Sequence, residues 1–193
     1  CSQYYVFFYD PQDRLAQVIL ICFSVFLLKS FLHLCMFSPV SKEVSIISTT
    51  VGKVVGLHIC VAHRKPMQSV SNINMIEGAG IEGDLHAKLD GSRKRRQVLI
   101  MDRETLTEFE LADGVIKENI TIEGLSMDLL QDNQSILIGE AELTISEDCA
   151  PCSRMDEIKP GLQNALLGRR GKLAQVVKSG PVELGDQITI LTS

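Results

Sequence analysis

The apolar residues of this chain come in short β-branched runs, each closed by glycine, proline or a charged cluster, and these runs do not alternate regularly with helical patterns. Val51 to Ala62 reads as a first strand, bent at Gly52 or Gly56 because glycine inside a strand marks a bend or bulge. His58 and Cys60 share one face of it, and His63 to Pro66 forms a turn. Gln97 to Met101 and Lys117 to Gly124 follow as strands. Gln134 to Ile145 reads as a hairpin turning at Gly139-Glu140, and Lys172 to Lys178 and Gln187 to Leu191 close the chain. Ser179 to Asp186 reads as a turn-rich link. A short helix is expected from Asp102, its N-cap, to Leu111, with Leu106, Phe109 and Leu111 as a partial apolar stripe. A second helix spans Glu157 to Leu167, interrupted at Pro160-Gly161. Six to eight short strands with two short helices between them exclude the doubly wound α/β class. They favour a mainly β fold with short helices, a closed or half-open β-barrel.

Residues 1–44 have a different character. Leu15 to Leu28 carries no charge, and continuation to Phe37 is interrupted only by Lys29 and His33. A spanning helix needs about 20 apolar residues, so residues 15–37 are borderline. The readings are a membrane segment, a packed helix, or a gene-assignment artefact with no native role. A signal peptide lacks both its basic start and a clear cleavage site. The β domain is therefore assigned to residues 45–193. The mean hydropathy of +0.14 comes largely from the apolar extension.

Composition removes some functions. The net charge is −5, aromatic residues are 5% and tryptophan is absent. A nucleic-acid binder normally shows a basic excess and stacking surfaces, so no nucleic-acid partner is expected. Six cysteines without regular spacing suit free thiols in a reducing compartment rather than a disulfide framework. That points to a cytoplasmic location, with membrane attachment only if the apolar extension is genuine.

Reactive chemistry concentrates in Glu147 to Asp156, where Cys149 and Cys152 stand three apart and Arg154 follows. A nearby cation lowers a thiol's pKa, and the thiolate is both nucleophile and soft metal ligand. A lone Cys-x-x-Cys leaves several readings: a zinc site completed through the fold, a dithiol redox pair, two structural residues, or one working thiolate at Cys152. Arg93-Lys94-Arg95-Arg96 runs into the strand at Gln97, beside a glycine-rich stretch from Met75 to Leu89. A charge run is usually a solvated face, but this placement also suits an anion site with bidentate arginine contacts. Glu118 and Asn119 either line a pocket or, for Asn119, make a turn bond. Gly168-Arg169-Arg170-Gly171 is a basic glycine turn.

Six segments in order resemble the MOSC domain family, the C-terminal module of molybdenum-cofactor sulfurases, which also occurs as small stand-alone proteins. They are Gly80 to Ala87, Arg96 to Leu99, Glu118 to Thr121, Ile138 to Ala141, Ala150 to Met155, and Gly180 with Gly185-Asp186. The resemblance implies a β-barrel-like fold and a thiolate at Cys152 that carries sulfur or ligates molybdenum. The implied cofactor is the molybdenum cofactor, a phosphorylated pterin dithiolene (molybdopterin). Basic residues should surround it, the candidates being Arg95, Arg96, Arg154 and Arg169, in a pocket shared with Asp84, His86, Glu118 and Asn119. Some stand-alone relatives reduce N-hydroxylated compounds with electrons from a partner protein. The implied roles are thus an oxidoreductase with an electron-donor partner, or sulfur transfer to a molybdoenzyme acceptor. A non-catalytic cofactor-delivery module, or a CxxC redox or zinc module, is the alternative. The family's link to pyridoxal phosphate belongs to the fused domain of the full sulfurases, so no pyridoxal phosphate site is expected here. Cys149 departs from the family pattern as a second thiol beside the first.

Overall fold

The computed structural model describes residues 48–191. The expectations for residues 1–44, including a membrane segment at 15–37, lie outside the described residues. Among the described residues no helix is long and apolar enough to cross a membrane.

Eleven strands and three short helices make up this region. Seven strands close into a ring. β1 (Ser48–Ile59) pairs on one side with β6 (Ile120–Glu123) and on the other with β11 (Gln187–Leu191), both antiparallel. From β6 the ring continues through β5 (Val98–Asp102), β9 (Lys172–Lys178), β8 (Ala141–Asp148) and β7 (Ser135–Ile138) to β11. β1 reaches two neighbours because it bends: its register shifts between Thr50 and Gly52 and again between Val54 and Gly56. Both glycines proposed as bend points therefore sit at bulges, which locally increase twist and help a sheet curl shut.

Alternation along the strands sorts the side chains. Val98, Ile100, Ile120, Ile122, Ile136, Ile138, Leu143, Ile145 and Ile188 point inward into one core. Fully burying each such side chain contributes about 1.5–3 kcal/mol relative to exposure. The outward residues of β5 pack elsewhere. Met101 joins Leu106, Ile116, Met155, Leu162 and Leu166 in a second cluster under the helices. Leu99 joins Leu173 and Cys149 in a third.

The parallel pair β5–β6 requires a crossover, and α1 (Arg103–Glu108) begins it. Asp102 caps α1 as expected, accepting from the Thr105 N–H at 2.7 Å. The second expected helix is two: α2 (Arg154–Ile158) and α3 (Leu162–Ala165). Lys159 is forced extended by the following Pro160, and Gly161 turns the chain at φ 82°.

The sequence reading undercounted the strands. Within the glycine-rich stretch lie the end of β3 (Asn72–Ile76) and all of β4 (Gly80–Ile81), and the supposed link contains β10 (Gly180–Glu183). These three form a separate sheet in the order β10-β3-β4. β2 (Gln68–Ser69) extends the edge of β1. Strands of two to five residues are too short to show a period, and β3 finds β10 only through the fold.

Candidate active site

The Cys149–Cys152 segment leaves the end of β8 and enters α2. The Cys149 N–H donates to the Gly171 carbonyl at 2.9 Å, which ties the first thiol to the turn before β9. Gly171 adopts φ 83°, and a Cβ there would collide with the Ile100 carbonyl. Only glycine lets the two segments approach in this way. Cys149 is 5% exposed on the floor with Leu99 and Leu173, whereas Cys152 is exposed. Both thiols are free.

They line a cavity of about 940 Å³ on the outer face of the barrel wall. Its charges are one-sided: Arg64, Arg93, Lys94, Arg95, Arg96, Lys117, Arg154 and Arg170 against Glu147 alone. Eight cations face one carboxylate, so positive potential concentrates in this cavity although the chain's net charge is −5. Arg95 is held by donating to the Ser146 carbonyl at 2.6 Å, and Arg96 reaches Glu147 at 3.5 Å.

A second wall is organised by Asp84 and Asn119. Asp84 accepts from the Cys60 N–H at 2.7 Å, the His86 N–H at 2.7 Å and the Asn119 amide at 3.1 Å, and contacts His86 Nδ1 at 3.1 Å. Burial opposes ionisation of Asp84, but hydrogen bonds from His86 and Cys60 outweigh it and hold its pKa below the ordinary value. The Asn119 side chain also accepts from the Leu99 N–H and donates to the His58 carbonyl, both at 3.2 Å. The loop bearing His86 is thereby fixed against the cavity mouth.

The residues expected at the site divide into three groups. His86, Arg95, Arg96, Asn119, Cys152 and Arg154 line the one cavity. Asp84 supports it from behind. Glu118 and Arg169 lie elsewhere. Arg169 pairs with Glu108, at 2.8 Å through Nη1, and stacks its guanidinium 5.0 Å from the centre of the Phe109 ring. Glu118 is fully buried just before β6, away from the cavity, accepting from the Gly114 N–H and, at 3.5 Å, from Thr121. Burial is the main cause that pushes the Glu118 pKa up to about 7, with the Asp113 charge adding to it against the Gly114 hydrogen bond. Its Oε2 has no partner.

Arg170, the neighbour of the residue singled out, faces the cavity instead. Its Nη1 lies 3.2 Å from Cys149 Sγ and donates to the Ala150 carbonyl at 2.9 Å, while Nη2 donates to the Ile116 carbonyl at 3.1 Å. Lys117 and Arg64 also line the cavity. Choosing Arg170 over Arg169 needed the turn geometry, since adjacent residues point to different sides. Among the described residues no group of three or more His, Cys, Asp or Glu side chains is disposed to hold a metal ion. The zinc reading of the Cys-x-x-Cys pair thus lacks its remaining ligands there.

Residues 92–189, just over half of the chain, match the model of the MOSC domain. The chain belongs to the MOSC domain family, whose members are associated with the molybdenum cofactor. Among solved structures it resembles the YuaD protein from Bacillus subtilis, with a TM-score of 0.62 at 20% identity over 76% of this chain and 98% of that one. It also resembles YiiM from Escherichia coli, with a TM-score of 0.55 at 18% identity over 73% of this chain and 70% of that one. YiiM from Geobacillus stearothermophilus gives 0.55 at 19% identity, over 76% and 75%. These likenesses establish the barrel. Among curated protein sequences none matches the chain.

Proposed function

We propose that the cavity binds the molybdenum cofactor, with Cys152 as its protein sulfur ligand or as a sulfur carrier. The observation that carries this reading is an exposed thiol in a cavity lined by eight cations and a single acid. A phosphorylated pterin dithiolene fits that donor set. Its phosphate suits guanidinium forks, and Arg95, Arg96 and Arg154 are the expected arginines that line the cavity. Its molybdenum is soft enough for a thiolate. When bound, the cofactor supplies two-electron and oxygen-atom chemistry.

The chain's own residues bind and orient. Arg154 and Arg170 line the cavity with the two thiols and place positive charge there, which neutralises an anionic ligand. The apolar floor of Leu99 and Leu173 accepts a flat ring. Asp84 holds His86 at the rim from behind, while Asn119 both steadies Asp84 and faces the ligand. In this reading the loaded protein reduces N-hydroxylated compounds with electrons from a partner protein.

Two measurements test the proposal. The full chain, purified from a cofactor-producing host, should carry molybdenum and pterin, and Cys152→Ala should lose the molybdenum. Full retention of molybdenum by Cys152→Ala overturns the role of Cys152. Loaded protein given an N-hydroxylated base and a reductant should then turn over. Loading without turnover assigns it instead to cofactor delivery.

A further inference from the structure

The Cys-x-x-Cys stretch holds one more thiol than the proposed function uses. Cys149 and Cys152 line the same cavity and are joined by Ala150-Pro151, a segment without regular structure. The joint is held at its edges. Cys149 N–H bonds Gly171, the Cys152 carbonyl accepts from Met155 N–H at 2.9 Å, and the Ala150 carbonyl accepts from Arg170. A disulfide needs Cα atoms about 4.4–6.8 Å apart, which a turn with two intervening residues can supply.

The two sulfurs have complementary surroundings. Cys152 is exposed, and so is reached first by a reagent from solvent. Cys149 is buried, and burial pushes its thiol up, while Arg170 and Arg96 pull the other way. A cysteine kept only as a small apolar residue has no use for a guanidinium 3.2 Å from its sulfur. Such a contact stabilises a developing thiolate.

We infer that Cys149 is the resolving thiol of a reversible disulfide with Cys152, formed by exchange with a small-molecule disulfide such as oxidised glutathione. The Cys152 thiolate attacks one glutathione sulfur. A Cys152–glutathione bond forms, the glutathione disulfide breaks, and the first glutathione leaves as its thiolate. Cys149 then gives its proton to solvent, and its thiolate, beside Arg170, attacks Cys152 Sγ. The protein disulfide forms and the second glutathione leaves. Two protein thiols are oxidised and one glutathione disulfide is reduced to two glutathiones. The bond itself rests on two free thiols in one cavity, two residues of turn between them, and the Arg170 contact with Cys149. Its consequence, that Cys152 is withdrawn from cofactor chemistry under oxidation, rests on the function proposed above.

The test uses the full chain in buffers of fixed reduced-to-oxidised glutathione ratio, with thiols trapped by alkylation. The tryptic peptide Glu118 to Arg154 contains Cys149 and Cys152 and no other cysteine. On oxidation it should appear unalkylated and two hydrogens lighter, with the ratio of disulfide to dithiol rising in proportion to oxidised glutathione over the square of reduced glutathione. Cys149→Ser should instead accumulate glutathione on Cys152. Arg170→Gln should slow resolution of the mixed disulfide roughly threefold per unit rise in the Cys149 pKa, since a less available thiolate is partly offset by its greater nucleophilicity. A peptide alkylated at both cysteines in every buffer, or a glutathione adduct that Cys149 never resolves, overturns the inference. An unchanged rate in Arg170→Gln overturns the part given to Arg170. Molybdenum content of fully reduced protein is read separately, so failure of the cofactor reading is distinguishable.

Discussion

The Asn119 side-chain amide donates to the Asp84 carboxylate at 3.1 Å, and this contact fastens the His86 loop to the strand end bearing Leu99. Asn119→Ala would leave the Leu99 N–H, the His58 carbonyl and one side of Asp84 short of a partner in a buried place. The expected cost is about 2–4 kcal/mol. Urea denaturation reads it directly, and an unchanged midpoint would show that water replaces the amide without loss.

Glu118 and His58 bound the pH range of stability from opposite sides. The Glu118 pKa rises from 4.5 unfolded to about 7 folded, so its contribution is fully present below 4.5 and is lost as pH rises through about 7. The loss amounts to about 3 kcal/mol at most. Desolvation lowers the His58 pKa below 6.5, against the Asp113 charge. Its contribution is therefore present above 6.5 and is lost as pH falls through the folded value. Glu118→Gln should raise the denaturation midpoint relative to the parent at about pH 8.5 and bring little gain near pH 5. An equal effect at both would mean that Glu118 does not change its charge across that interval.

Gly171→Ala should be strongly destabilising. The left-handed backbone costs an alanine about 1 kcal/mol, and the clash with the Ile100 carbonyl adds to it by pushing β5 and the turn apart. Because Gly171 also receives the Cys149 N–H, the alkylation rate of Cys149 should rise in the same variant. Thermal melting with thiol trapping checks both, and a normal melt would contradict the close approach.

Charge reversal separates the arginines. Arg96→Glu and Arg154→Glu should reduce pterin content after expression in a cofactor-producing host by tenfold or so, equivalent to about 1.4 kcal/mol, with the residual content falling further in salt. Arg169→Ala removes only the contacts with Glu108 and Phe109 and should leave pterin content unchanged. Loss of pterin in Arg169→Ala with retention in the other two would relocate the anion site.

The larger strands were readable because β-branched runs ended by glycine leave few options, and the Asp102 cap was readable because its chemistry is local. The small sheet was not. Pairing of Val182 with Ile73 joins segments far apart in sequence, and neither strand is long enough to show alternation. At the site, the thiols and the Arg93–Arg96 run announced themselves as reactive and charged groups. The sequence reading chose Arg169, whereas the turn at Gly171 sends Arg170 toward Cys149 and leaves Arg169 on Glu108 and Phe109. Glu118 and Asn119 likewise sit side by side, yet alternation on entry to β6 buries one under Gly114 and turns the other to the cavity. Adjacent residues differ by which face they occupy, and that is decided by register.

Ser48 pairs with Leu191, so the ring is sealed by its first and last strands. A chain emerging from the ribosome cannot complete it until Gln187–Leu191 are free. Before then β1 and β7 present bare edges, each a template for another copy. The same adjacency means that, within the described residues, a short linker could join Ser48 to Leu191 and the barrel could be opened instead at a surface turn without cutting the ring.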